Sequence, residues 1–495
     1  MIRPTIVFRL KHPISGLRSE PSRPATRKSH FLAGKTLSFR KGVSCLGLAA
    51  SLALNLTLCV LGADLGGVKV TLNGNQGPAV VTAELMEKFK LGVHVAANGE
   101  TKPLAVRVEL PNAGPNVWPA ADVEVRDATG KALLVQRTGI EWWQVLVPLP
   151  AGVTTCFIQA VEPKGGWPKP TSDKDRAIQD SVSGVKMRIA KWHEGRAAAL
   201  SIRFDDSHTT QLTKAVPILR EHGFRGTFMI CPGPSESGGH RVSDFDQHRG
   251  EWEALAKQGD HEFANHSAHH RGGFGDEDME AEIGEAAQAI WKLTPGRSQL
   301  TALNLGGGTR WDTTHTLRYY LDKYHHFDAS ENSTGMDDSY GNRVENFRRI
   351  LEQHLQRGLW CRIHYHYIGD GLSSTEANFR AALDIAKQHA ADLWIAGMAD
   401  IHKYQTERNA AKLTLLKSDA QQLGFQVTCA TDATLYDQPL TIELAPPAAW
   451  NLQNIVVKDT QGSIISTMPG KADGADALRF DVPPREASYS IGTVP

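Results

Sequence analysis

Histidine is concentrated in one short stretch of the chain, where its spacing suits metal binding. Four of the ten residues in HEFANHSAHH, which begins at residue 261, are histidines. His266 and His270 are four residues apart, so on a helical turn both imidazoles would lie on one face and could bind the same metal ion. The alternative is a solvated loop that happens to be rich in histidine. His261 and His269 have no spacing that explains them as ligands.

Two adjacent carboxylates, Asp205 and Asp206, follow the strand-like run SIRF. Because neighbouring side chains point in different directions, one carboxylate can bind a metal ion while the other faces a substrate. One carboxylate with two histidines is a normal ligand set for zinc, and cobalt or nickel would also accept it. Capping of the next helix is the competing interpretation of the Asp pair.

A further pair of histidines, His364 and His366, lies in the run IHYHYIGDG. Two residues apart on a predicted strand, both side chains would face the same side of the sheet. Either imidazole could act as a general acid at the end of that strand. Either could equally be a buried histidine whose hydrogen bonds are satisfied inside a barrel.

Alternating strand-like and helical runs between residues 186 and 409 must position these side chains. This alternation predicts a parallel sheet covered by helices, and about 220 residues suit a (β/α) barrel, which places its active site at the C-terminal ends of the strands. Residues 64–185 and 410–495 instead alternate with a period of two between turn residues, as in WWQVLVPLP. The predicted architecture is therefore multidomain α/β plus all-β, a deformed barrel flanked by two β-sandwich domains.

The charges of the chain are unevenly distributed. The 495 residues have a formal net charge of +0, but residues 1–42 carry +9, residues 43–63 are uncharged and the remainder carries −9. A basic stretch followed by an apolar run predicts a signal peptide over residues 1–63, and hence a secreted, periplasmic or cell-surface protein. Retention of the leader as a membrane anchor is the alternative. The net charge of zero argues against a basic protein that binds nucleic acid.

The cysteines and one missing motif exclude several classes of site. After residue 63 the chain has only Cys156, Cys231, Cys361 and Cys429, and no CxxC, which excludes a zinc knuckle or a thioredoxin-like motif. Such scattered cysteines are more typical of buried small hydrophobic residues than of a disulfide framework. A metallopeptidase of the HExxH type is excluded because that motif is absent.

The order of the motifs resembles a known family. RFDD, GDHEFANHSAHH and a strand-end histidine within one β/α region resemble the polysaccharide deacetylases, the NodB homology domain of carbohydrate esterase family four. The resemblance covers roughly residues 196–408. It implies the (β/α) barrel of that family, with a divalent metal bound by three residues, a general base that deprotonates the attacking water, and a histidine that protonates the leaving group.

The site roles follow from that resemblance, residue by residue. Asp206, His266 and His270 would bind the metal, and Asp205 would be the general base. His366 would protonate the leaving group, and His364 is the second choice for that role.

One motif of the family is altered in this chain. The expected RxPxG should lie near residues 300–310, where the chain has LTALNLGGGTRW. The arginine of that motif normally orients the base, and Arg310 is the candidate to replace it. Arg310, Trp311 and His364 are the candidate substrate-binding residues.

These observations predict a metal-dependent hydrolase that acts on carbon–nitrogen non-peptide bonds or on acetyl esters. Its partner would be an acetylated polysaccharide or oligosaccharide, its cofactor a divalent metal with zinc as first choice, and it would contact a membrane only if the leader is retained. The alternative, favoured by the altered third motif, is a weak or inactive deacetylase-like protein that acts as a carbohydrate-binding module.

Overall fold

A computed structural model describes residues 65–73, 79–96, 104–233, 244–330 and 333–493. The predicted signal peptide, residues 1–63, lies outside the described residues. Within the described ranges, no helix is both long enough and apolar enough to cross a bilayer.

The described residues between 69 and 160 form two antiparallel sheets that contribute to one apolar core. The alternation read from the sequence explains this arrangement, since in QVLVPL every second side chain is buried against the other sheet. One sheet has the order β1-β4-β7-β6 and the other β2-β3-β8-β5. The strands are β1 Lys69–Leu72, β2 Val80–Glu87, β3 Lys90–Ala96, β4 Leu104–Glu109, β5 Val123–Asp127, β6 Val135–Thr138, β7 Gln144–Leu149 and β8 Thr155–Ala160.

The next strands lead into a parallel sheet with the order β17-β15-β13-β12-β11-β19-β18, in which β20 also pairs with β11. Among the described residues β17 and β18 do not pair with each other, so the sheet is open at that side. The strands of this part of the chain include four that belong to other sheets, namely β9, β10, β14 and β16. In chain order they are β9 Ala177–Gln179, β10 Lys186–Ile189, β11 Ala198–Phe204, β12 Gly226–Ile230, β13 Glu262–Asn265, β14 Gly273–Phe274, β15 Thr301–Leu303, β16 Arg310–Thr313, β17 His326–Asp328, β18 Thr334–Gly335, β19 Trp360–Tyr365 and β20 Leu393–Ile395.

Helices cover this parallel sheet, and β11 at its centre is buried at all seven positions, as expected for a strand covered on both faces. Three of the helices begin at side-chain caps, Thr316, Asn342 and Thr375, which accept hydrogen bonds from the backbone of the first turn. The helices are α1 Val216–His222, α2 Arg249–Gln258, α3 Asp276–Leu293, α4 Leu317–Lys323, α5 Arg343–Arg357, α6 Glu376–Gln388 and α7 Met398–Ala410, with a π-helical turn at Gln211–Ala215 and 3₁₀ turns at Ala120–Asp122, His193–Gly195, Asp338–Tyr340 and Leu452–Asn454.

The C-terminal strands form two antiparallel sheets around a third apolar core. One sheet has the order β21-β22-β28-β24-β25, and the other continues from β26-β27-β23 into β10 and β9. The strands are β21 Ala411–Ser418, β22 Gln422–Cys429, β23 Leu440–Ala445, β24 Ile455–Asp459, β25 Ile464–Ile465, β26 Met468–Ala472, β27 Ala475–Val482 and β28 Ala487–Thr493.

Strand pairing therefore crosses the boundaries predicted at residues 185/186 and 409/410. β9 pairs with β10, and β10 in turn pairs with C-terminal β23, so both strands extend the C-terminal sheet. In the opposite direction, β16 pairs antiparallel with β6 and β14 pairs with β16, so two short strands from the central region extend the N-terminal sheet. Such long-range pairing leaves no mark in a local alternation pattern.

A loop of the N-terminal region packs against the central region. Trp142 is buried in the same cluster as Trp311, and the backbone N–H of Gly139 donates to the carbonyl of Thr309 at 2.9 Å. A Cβ on Gly139 would lie 2.3 Å from the carbonyl oxygen of Gly306, so only glycine permits this approach.

The cysteines among the described residues are all free thiols, and Cys156, Cys231 and Cys361 are buried. This agrees with their predicted role as small hydrophobic residues.

Candidate metal and catalytic site

Polar side chains converge where the parallel strands end. Asp205 and Asp206 follow β11, His266 follows β13, and His366 follows β19. Because the carboxyl ends of parallel strands share one edge of a sheet, chain segments that are distant in sequence meet there.

Three side chains form a group of possible metal ligands. Asp206, His266 and His270 each offer one ligand atom, and these atoms all lie within 4.8 Å of one another. Nε2 of His266 lies 3.3 Å, and Nε2 of His270 3.4 Å, from Oδ1 of Asp206. This is the set of residues that the motif resemblance singled out as ligands.

The hydrogen bond on the far side of His266 tests whether this group fits a cation. Nδ1 of His266 lies 2.8 Å from the carbonyl oxygen of Asn304, which can only accept, so Nδ1 carries the proton. In the neutral ring, the lone pair of Nε2 then faces the carboxylate of Asp206. Two acceptors facing each other repel unless a cation lies between them, and a histidine held through its other nitrogen by a carbonyl is the usual arrangement of a metal ligand. The residues therefore fit a divalent metal.

The turn between the two histidines is not the predicted helical turn. Residues 266–271 form an irregular loop, in which Ser267 and His270 have φ values of +61° and +53°. The side chain of Asn265 accepts a hydrogen bond from the backbone of Ser267 at 2.8 Å, and the hydroxyl of Ser267 accepts one from the backbone of His270 at 3.1 Å. These local bonds compete with helix formation and bring the two rings within 4.7 Å.

The glycine run after β15 makes room for one of these rings. Gly306 has a φ of +80°, and a Cβ there would lie 2.5 Å from Nε2 of His270. Gly307 is different, because a Cβ there would lie 3.7 Å from a methyl carbon of Ile140, which is an ordinary contact distance. The run LGGG therefore has one position at which glycine is required by the candidate ligand itself.

Asp205 is held by an arginine from its own strand. Oδ2 of Asp205 accepts from Nη2 of Arg203 at 2.8 Å, and both side chains are 5% exposed. Oδ1 is buried and has no hydrogen-bond partner among the described residues. Burial raises the pKa of Asp205, but the positive charge of Arg203 and the effects of nearby histidines together outweigh it and lower the pKa to about 2. Asp205 is thus ionised at neutral pH, with one oxygen available to accept a proton.

The second carboxylate, Asp206, is contacted by His208, and Tyr367 packs against the ring of His208. The sequence did not indicate either residue. Asp206 and Ser207 have φ values of +73° and +58°, a left-handed turn directly after the strand. The turn brings Nε2 of His208 to 3.3 Å from Oδ2 of Asp206, and the ring of His208 stacks on Tyr367 at 3.4 Å. Both oxygens of Asp206 thereby face histidine nitrogens.

His366 is paired with a buried aspartate. Nδ1 of His366 lies 2.6 Å from Oδ2 of Asp337, and Gln211 donates to the backbone carbonyls of both Asp205 and His366. Burial lowers the pKa of His366, but the hydrogen bond that its Nδ1 donates to Asp337 and the charges of Asp205 and Asp206 outweigh it and raise the pKa above its ordinary value. Asp337 has no motif around it to reveal it, since only folding brings it beside His366.

The ring of His364 lies 5.7 Å from that of His366, measured between ring centroids. Its Nδ1 is 2.8 Å from the hydroxyl of Ser333, and burial, with a smaller effect from Arg203, lowers its pKa to about 4. His364 is therefore neutral at pH 7, whereas His366 is the histidine whose surroundings favour the proton.

The remaining candidate substrate-binding residues lie in other surroundings. Arg310 forms an ion pair with Asp312 and is half exposed. Trp311 is completely buried and donates from its ring nitrogen to the carbonyl of Leu305, so it has no open face on which a sugar could stack. Trp311 is a core residue, and its expected role in substrate binding is not supported by its position.

Comparison with known proteins agrees with the motifs. Residues 193–322 match the family model described as polysaccharide deacetylase, which confirms the resemblance to that family. A gellan lyase from Bacillus is 20% identical over 339 residues, which are 61% of this chain, and the chain spans only 13% of that relative's length.

Similar solved structures include a family 4 carbohydrate esterase from Streptomyces lividans in complex with acetate. It is 21% identical, with 41% of this chain and 94% of that chain covered and a TM-score of 0.30. Another is a family 4 acetyl xylan esterase from Clostridium thermocellum in complex with a cobalt ion, 14% identical, with 40% of this chain and 87% of that chain covered and a TM-score of 0.28.

Proposed function

We propose that the chain is an exported, metal-dependent deacetylase that hydrolyses N- or O-linked acetyl groups on a polysaccharide or oligosaccharide. The observation that carries the proposal is the arrangement of three functions at one sheet edge: an ion-binding group, an ionised carboxylate with a free oxygen, and a histidine paired with a buried acid. The match of residues 193–322 to the polysaccharide deacetylase model supports the same reaction class.

Asp206, His266 and His270 would hold the metal ion. When bound, such an ion supplies Lewis-acid polarisation of the acetyl carbonyl and makes water more acidic. Zinc is the first choice for this ligand set, with cobalt and nickel as alternatives.

Asp205 acts as the general base. Its Oδ1 accepts a proton from the attacking water as the new carbon–oxygen bond forms, while its Oδ2 stays hydrogen-bonded to Arg203. Because the carboxylate is fixed and already ionised, no proton has to leave it before the reaction begins.

His366 acts as the general acid. It gives a proton to the departing nitrogen or oxygen as the bond to the acetyl carbon breaks, and the products are acetate and the deacetylated sugar. The Asp337 carboxylate stabilises the protonated imidazole before the transfer and orients it through Nδ1, which leaves Nε2 to face the substrate.

The test is acetate release by the purified protein. After treatment with a chelator, the protein is reconstituted with zinc, cobalt or nickel and incubated with acetylated xylan, N-acetylated chitooligosaccharides or peptidoglycan. We expect acetate from at least one substrate, and only after metal addition. Absence of acetate from every combination would contradict the proposal.

Carbohydrate binding without catalysis is the competing function, and the same samples distinguish the two. A binding module would retain the polysaccharide on affinity gels without releasing acetate. The position of Arg203 removes the main argument for it, since the base has an arginine partner despite the altered third motif.

Export and the form of the flanking regions complete the proposal. Cleavage of residues 1–63 would be seen as a new N-terminus on protein recovered outside the cytoplasm, and an uncleaved leader would place the protein at the membrane. We further infer that each flanking pair of sheets is a β-sandwich, as their shared apolar cores suggest.

A further inference from the structure

A buried arginine lies in the middle of the most buried strand of the sheet. Arg203 in β11 is 4% exposed, and the strand has no other charged residue. Burying a guanidinium is costly unless its donors are paired, so its partners show what it stabilises. Those partners are Oδ2 of Asp205 at 2.8 Å and the carbonyl oxygen of Ala329 at 3.1 Å.

The strand itself builds this ion pair. Arg203 and Asp205 are two residues apart, so their side chains leave the same face of β11. The backbone at Arg203 is fixed on both sides, since it is in register with Thr227 of β12 and His364 of β19. The donor is therefore held by a central strand and does not depend on the conformation of a loop.

The contact gives the two oxygens of the Asp205 carboxylate different surroundings. Arg203 occupies Oδ2, while Oδ1 is buried with no hydrogen-bond partner among the described residues. A carboxylate held through one oxygen by an anchored donor cannot rotate freely, so the other oxygen keeps one direction.

Arg310, the candidate from the sequence for orienting the base Asp205, is bonded to a different carboxylate. The guanidinium of Arg310 is bonded to both oxygens of Asp312 and lies against Phe274. Since Nε and Nη2 of Arg310 are bonded to Asp312 and its side chain is half exposed, Arg310 is not the partner of the base.

We propose that Arg203 is the positioning residue of the general base Asp205, and that it replaces from within the strand the arginine that the altered third motif lacks. This inference rests on the proposed function. It predicts that the chain is active although LTALNLGGG contains no arginine.

The first experiment compares Arg203→Met, which keeps the length of the side chain but has no donors, with Arg310→Met as the matched control. Because a misplaced base lowers the rate of the chemical step, we expect Arg203→Met to lower kcat about 100-fold, with KM within about threefold of the wild-type value. Arg310→Met should leave kcat within about twofold. Metal content by elemental analysis should equal the wild-type value in both variants.

The second experiment separates positioning from a purely structural role. In an Asp205→Asn background, adding Arg203→Met should lower residual kcat less than about threefold, because the two residues act as one unit. Guanidinium added to Arg203→Ala should restore kcat at least about tenfold, whereas urea, which has a similar shape but no charge, should not. If the alanine variant does not fold, as judged by circular dichroism, Arg203→Lys takes its place, with partial kcat expected.

The outcomes are distinguishable. If the wild-type protein is active and the Arg203→Met variant keeps full kcat, the role of Arg203 is overturned and the proposed function is left intact. A wild-type protein that releases no acetate contradicts the proposed function instead. In that case crystal structures decide the positioning role, because the Asp205 carboxylate must then turn away in Arg203→Met, and an unmoved carboxylate overturns it.

Discussion

Nδ1 of His366 lies 2.6 Å from Oδ2 of Asp337, although the two residues come from different strand ends of the parallel sheet. The contact is buried on the aspartate side and more open on the histidine side. A histidine with a buried carboxylate behind it keeps its proton to higher pH and still presents the other ring nitrogen to a substrate.

Asp337→Asn should therefore change the pH profile. Because the hydrogen bond and charge of Asp337 raise the pKa of His366, their removal lowers that pKa. A general acid must be protonated, so the alkaline limb of kcat should move to lower pH, with a loss of about tenfold at pH 8. Measurement of kcat from pH 5 to 10 checks this.

Asp338→Asn is the matched control for that variant. Asp338 accepts hydrogen bonds from Thr375 and Asn378 at the start of α6, and none from His366. Its pH profile should follow the wild type. An unchanged alkaline limb in Asp337→Asn would show that the aspartate does not set the protonation of His366.

The ligand and base roles should separate in single substitutions. His266→Ala should lose bound metal, while Asp205→Asn should keep it and lose turnover at least about 100-fold, since it removes only the base. Elemental analysis and acetate release measure the two properties. His269→Asn, from the same stretch, should retain metal, because His269 is bonded to Glu282. Full metal content in His266→Ala would refute the ligand assignment.

Gly306→Ala should weaken metal binding, since the added methyl group meets the ring of His270 and the backbone has a positive φ. We expect a rise of at least about tenfold in the dissociation constant for zinc. Gly307→Ala adds the same group one residue later, where there is ordinary contact distance, and should bind zinc normally. Competition with a chromogenic chelator compares the two variants, and equal affinities would contradict the role given to Gly306.

The stability of the folded chain should fall as the pH is lowered from about 6.5. Nε2 of buried His326 accepts a hydrogen bond from Asn265, and burial lowers the pKa of His326 to about 3. The unfolded chain binds a proton there near pH 6.5 and the folded chain does not, so protonation favours unfolding. This one group costs about 3 kcal/mol by pH 4.5.

His326→Gln keeps an acceptor for Asn265 but cannot titrate. Urea unfolding at pH 7 and pH 4.5 should show a smaller loss of stability for this variant than for the wild type. An equal loss in both proteins would assign the acid sensitivity to other groups.

The sequence indicated the side chains of the site better than the contacts among them. Asp205, Asp206, His266 and His270 stand in short motifs, so their types and order were enough to single them out. Arg203 could not be recognised in this way, because a charged residue inside an apolar strand only interrupts the pattern. Its role depends on its contact with Asp205, which the pattern does not show.

Contacts between distant segments could not be predicted in this way. Asp337 meets His366 only because β18 and β19 are neighbours, and β10 pairs with β23 across more than 250 residues. The prediction of a helical turn between His266 and His270 was wrong for a local reason. The side chains of Asn265 and Ser267 accept hydrogen bonds from backbone N–H groups and so stabilise another backbone conformation.

The exchange of strands between regions limits how far this protein can be treated as separable modules. A fragment cut at residues 186 and 409 would keep β16 without β6 and β10 without β23, leaving two open strand edges prone to aggregation. A fusion of the central region to another protein would therefore need to include the flanking regions that provide β6 and β23. In this chain the flanking regions supply strand partners to the central region from both sides of the sequence.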